Sequence, residues 1–176
     1  LSGGGATPLA TMTAHGHALA LTMPVTLPAP TIDGATATYP AVLPGIDLQI
    51  TADAQGGFAE VFIVRDATAA TNPALKALTL NTQATGVRLH TDDAGNLSAT
   101  DQSGTAIFTA PAPTMWDSTT TATTASAIPA TAAAEGPPVS SSTGPGRNAH
   151  TAPIRVDATD ERITLTPDQN MLTASD

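Results

Sequence analysis

The chain has 176 residues, a formal net charge of −9 and no cysteine. Its Lys and Arg total 6 and are dispersed, so no basic patch can form to neutralise phosphate; nucleic acid is excluded as a partner and an anionic membrane surface is disfavoured. The lack of cysteine excludes disulfides, thiolate metal sites and cysteine nucleophiles.

Much of the hydrophobic content of 41% is alanine. Leu, Ile, Val and Phe make roughly 18% of the chain, near the ~20% below which composition speaks for disorder. A core must therefore come from a subset of the sequence. No apolar run approaches the ~20 residues that span a bilayer. The chain opens Leu1-Ser2-Gly3-Gly4-Gly5, with neither an initiator Met nor a signal peptide, which reads as a piece processed from something longer.

Residues 1–16, rich in Gly, Thr and Ala, read as a mobile N-terminal arm that ends in an edge strand. In His17–Leu27, Leu19, Leu21 and Met23 alternate with smaller residues, and Pro24 makes this an edge strand or breaks it. Asp33-Gly34 is a turn, Thr36–Tyr39 a short strand, and Pro40 closes it. Ile46, Leu48 and Ile50 alternate with Asp47, Gln49 and Thr51, the pattern of a half-buried strand. Phe58–Val64 is apolar on both faces and predicts a central strand covered on both sides, paired to the previous one in a hairpin.

Ala67–Ala77 is the one candidate helix, with Asn72 as N-cap before Pro73. Strands then follow at roughly ten-residue intervals, through Leu78, Leu80, Val87, Leu89, Leu97 and Ile107, separated by turns such as Asp92–Asn96. Ser118–His150 holds only Ile128 and Val139 as large aliphatics and predicts a disordered Thr/Ala/Ser/Gly/Pro-rich linker. Strand character returns at Pro153–Val156 and Arg162–Leu165. The expected fold is all-β: an antiparallel β-sandwich of short strands over 17–176, with one short helix and a long insertion at 118–150.

Candidate sites are sparse. His15-x-His17 would put two imidazoles on one strand face, but a metal needs further ligands and none lies nearby. Asp92-Asp93-Ala94-Gly95-Asn96 lacks the ligand alternation of a calcium loop and reads as a β-turn; Asp157, Asp160 and Glu161 read as a solvated turn. Asp47 and Glu60, on adjacent strands, could form the carboxylate pair of a glycosidase, yet with one Trp and one Tyr the chain is poor in sugar-stacking aromatics. No catalytic residue, cofactor or metal site is assigned. Met115-Trp116-Asp117 is the most distinctive tripeptide. Trp116 and Asp117 are either a ligand-binding platform or a plug over an open end of the sheet, with Asp117 capping backbone amides.

Tyr39-Pro40-Ala41-Val42-Leu43-Pro44-Gly45-Ile46-Asp47-Leu48 resembles the "YP-x-V-x-PG-(V/I)-DL" signature of large secreted actinobacterial proteins, in which the module precedes LamG-type, DNRLRE-type or RHS-repeat regions. Gly56-Gly57-Phe58, Asn72-Pro73-Ala74-Leu75, Asp93–Leu97, Phe108–Pro113, Met115–Ser118 and Leu165–Asp168 are similar to further segments of that group, whose closing "IDP" stretch this chain does not reach. The resemblance implies an exported, β-rich, non-catalytic accessory module and maps no catalytic residue here. The expected function is that of a secreted or cell-surface structural or docking module whose partners are other modules of its parent protein. A glycan or cell-wall polymer binder, or a shell or delivery element of an RHS-type toxin, are the alternatives.

Overall fold

The computed structural model describes residues 1–54, 56–117, 145 and 149–174. Most of the predicted linker over 118–150 therefore lies outside the described residues. Elsewhere the chain is an all-β antiparallel sandwich of short strands: β1 (Ala10–Ala14), β2 (His17–Thr22), β3 (Thr31–Asp33), β4 (Thr36–Leu43), β5 (Ile46–Ala52), β6 (Phe58–Val64), β7 (Leu78–Thr85), β8 (Arg88–Thr91), β9 (Leu97–Thr100), β10 (Ala106–Ala110), β11 (Thr114–Trp116), β12 (Thr151–Pro153), β13 (Arg155–Thr159) and β14 (Arg162–Thr166). The larger sheets have the orders β1-β2-β7-β14-β13 and β3-β4-β5-β6; two smaller ones are β10-β9-β8 and β11-β12.

Period-two alternation builds the core. Ile46, Leu48 and Ile50 of β5 are fully buried, while Gln49 and Thr51 are only half-buried on the other face. Leu19, Leu21, Leu78, Leu80, Ile163 and Leu165 do the same for the five-stranded sheet, and both sets belong to one contiguous cluster. Burial of one face per strand is what fixes the register, since a one-residue slip would turn each set outward.

Arg162–Leu165 pairs with Asn81–Leu78 of β7, so the end of the described chain completes a sheet begun before the long insertion. The other end also differs from expectation. Residues 1–16, predicted as a mobile arm ending in an edge strand, do end in one, since β1 lies at the edge of its sheet and pairs with β2 along its whole length, but the arm before it is built into the fold: Leu9 is fully buried and its amide donates to the Leu21 carbonyl. The Gly- and Thr-rich composition hid two apolar anchors, Leu9 and Ala10, that suffice to dock a strand. β2 is consequently an interior strand, and it ends at Thr22, before Pro24.

Phe58–Val64 corrects a second expectation. β6 is an edge strand, half-buried over most of its length, and β5 holds the central place. The predicted helix also divides. Asp66 caps α1 (Ala67–Ala70) by accepting from the Ala69 amide, and Asn72 caps a separate 3-10 turn (Pro73–Lys76) by accepting from Ala74. A further helix, α2 (Gln169–Thr173), is capped by Asp168. α1 and the 3-10 turn each stop within about a turn, because the capping residue Asn72 follows the first and the extended residue Ala77 the second.

Candidate functional site

The segment 39–48 forms a corner whose distinctive residues have internal partners. β4 does not end at Pro40; it bulges between Tyr39 and Leu43 and resumes pairing with β5. Within the bulge Ala41 takes a left-handed backbone, φ 49°, a conformation unfavourable for a residue with a Cβ. Asp47 holds it there: its Oδ1 accepts from the Ala41 amide at 2.7 Å and its Oδ2 accepts from Arg65 Nε at 2.8 Å. Asp47 is only 8% exposed, so both oxygens are satisfied where water has little access.

Tyr39 is fully buried, and its hydroxyl donates to the Ser2 carbonyl at 2.6 Å, tying the corner to the N-terminal segment. Burial pushes its phenol above the ordinary value. Gly45 turns the chain with φ 73°, and a Cβ there would collide with the Ala69 methyl of α1. A shallow surface depression lined by Pro44, Gly45, Asp66, Thr71 and Asn72 lies beside this turn.

Trp116 and Asp117 lie at the base of the long insertion. β11 and β12 pair Thr114 with Pro153, Met115 with Ala152 and Trp116 with Thr151. Asp117 locks the open end of this pair: Oδ1 accepts from the His150 amide at 3.0 Å, Oδ2 meets His150 Nδ1 at 2.8 Å, and the Asp117 amide donates to the His150 carbonyl at 3.2 Å. The two residues that flank the insertion are thereby held together. Trp116 is half-buried; Met115 packs against the core, and its sulfur accepts from the Asp168 amide at the start of α2. The capping predicted for Asp117 thus falls on His150, a partner that only the fold brings near.

The remaining candidates separate. Asp47 pairs with Ile63 and Glu60 with Ile50, so the two carboxylates stand on opposite faces of one sheet and cannot flank a common substrate. His15 lies in the β1–β2 turn with φ 51°, whereas His17 begins β2, so they do not share a strand face. Among the described residues no His, Cys, Asp or Glu cluster could hold a metal ion. Asp92 accepts from the Ala94 and Asn96 amides and from the Asn96 side chain, as a turn should, and these bonds hold its carboxyl below the usual range.

Asp160 does more than sit in a solvated turn. Its Oδ1 accepts from the Leu89 amide and its carbonyl accepts from Thr82, joining the β13–β14 turn to β8 and β7. Sequence offered no signal for this, since the partners are over seventy positions away. No helix among the described residues is long and apolar enough to cross a membrane. No family model, curated protein or solved structure matches this chain.

Proposed function

We propose that this chain is a non-catalytic structural or docking module of a larger secreted or cell-surface protein, of the kind that precedes LamG, DNRLRE or RHS-repeat regions in actinobacterial exported proteins. The observation that carries the reading is the Asp117–His150 clamp. It closes the β11–β12 pair, which Met115 anchors to the sandwich, so Asp117 and His150 are held together on a sandwich whose two ends already share a sheet. The corner at 39–48 supports it too: Tyr39, Asp47 and Gly45, which carry the resemblance, are engaged in holding the fold. Such a body suits a spacer that holds neighbours in place.

The experiment compares the module alone with the module joined to the segments that flank it in its parent protein. Docking predicts a higher Tm and slower amide exchange in the joined form. Trp116 offers the second reading, a glycan or cell-wall polymer platform, because its half-buried ring leaves part of the indole accessible. Retention on insoluble polysaccharide that is lost on Trp116→Ala, with an unchanged Tm in the joined form, would replace the docking reading by this one.

A further inference from the structure

Glu60 stands in an unusual place. It occupies β6, whose outer edge no described strand pairs, and its register with Ile50 puts it on the inward face between Phe58 and Phe62. Its Oε2 is enclosed and has no hydrogen-bond partner among the described residues. Although Glu60 as a residue is only half-buried, an ionised carboxylate there would hold one oxygen with neither water nor a donor to offset its desolvation.

Among the described residues, the neighbouring elements offer no compensating charge. β5 turns Ile46, Leu48 and Ile50 to this face and sends Asp47 to the other. β4 presents Ala37 and Tyr39, whose hydroxyl is bound to Ser2. α1 has no ionisable side chain, and its capping Asp66 binds the Ala69 amide. Asp53, in the β5–β6 turn, accepts from the Gly57 amide. On the other sheet the ionisable side chain on the face of Leu19 and Leu21 is His17, which lies against Gly86.

We propose that β6 is a proton-governed flap: uncharged Glu60 lets the strand seat on the sandwich, and ionisation of Glu60 releases this edge of the sheet. Burial raises the carboxyl from 4.5 to about 7 in the seated strand. The seated form therefore binds the proton more tightly than the released form. Its advantage is complete below about 4.5, is lost as pH rises from there through 7, and is constant above.

Amide exchange of the full chain tests this, with protection factors corrected for the intrinsic pH dependence. Opening of β6 should increase about fiftyfold between pH 5 and 7.5, while β7 keeps its protection. In Glu60→Gln and Glu60→Leu the pH dependence of β6 should vanish. Equal pH dependence in β6 and β7, or a β6 response that survives in either folded variant, overturns the flap. Should both variants fail to fold, the carboxyl carbon of Glu60 in the unaltered protein decides: titration near 7 in step with β6 opening supports the proposal, and titration near 4.5 overturns it.

Discussion

Asp47 joins three pieces of chain with one carboxylate: the Ala41 bulge of β4, its own strand, and Arg65 beyond β6. Asp47→Ala leaves the Ala41 amide without its acceptor and removes the restraint on a left-handed alanine, which together should cost about 2–3 kcal/mol in urea unfolding. Arg65→Ala should cost under about 1 kcal/mol, because the Arg65 side chain is 53% exposed and its ion pair is screened by water. A loss as large for Arg65 as for Asp47 would mean that the ion pair, and not the amide bond, holds the corner. Asp92 is different in kind, an exposed turn carboxylate whose folded value is lowered mainly by its bonds to Asn96. Its contribution is present above its unfolded value and is lost as pH falls through the lowered one. Asp92→Asn should accordingly lower stability slightly at neutral pH and leave the acid end almost unchanged, which flattens the acid limb of the stability curve.

Among the elements, β5 and β6 show what periodicity reveals and what it leaves out. The alternation Ile46, Leu48, Ile50 identifies a strand, its buried face and its neighbour in the hairpin, and all three are as read. Strand order is another matter. β6 looks central because both of its faces are apolar, yet whether another strand pairs beyond it depends on the whole topology, and it is the last in its sheet. Val61 pairs with Gln49 on the outward face and is only half-buried. Val61→Asp should therefore cost about 1 kcal/mol or less, since the carboxylate keeps its water, whereas Leu48→Ala should cost about 2–5 kcal/mol through lost contacts and the cavity left behind. Thermal unfolding of the two variants measures the contrast, and a Val61→Asp protein as unstable as Leu48→Ala would restore the central reading of β6. The candidate site follows the same logic. Asp117 was legible as a capping residue from its chemistry, but its partner His150 lies across the insertion, and no local pattern encodes a contact at that separation.

At the scale of the whole molecule, stability depends on a contact between distant parts of the chain. β14 lies between β7 and β13 in the five-stranded sheet, and it supplies Ile163 and Leu165 opposite Leu80 and Leu78. The alternation of Ile163 and Leu165 with Arg162 and Thr164 announced a strand with one face ready for burial, while the composition of 118–150 announced an interruption; together they imply that the sandwich closes across the gap. A chain ending at Asp117 would lose β12, β13, β14 and α2. That would uncover Leu78 and Leu80, leave the inner edge of β7 unpaired, and remove the His150 partner of Asp117. It should be insoluble, or a dimer or larger oligomer through the bare edge. Ile163→Ala in the full chain removes only side-chain packing and should cost about 2–4 kcal/mol while the protein stays monomeric. Sedimentation and thermal unfolding of the two proteins separate edge pairing from core packing. If the shortened chain is a soluble monomer with the Tm of the full protein, the residues after the insertion form a dispensable tail, and closure of the sandwich across the gap plays no part in holding the fold.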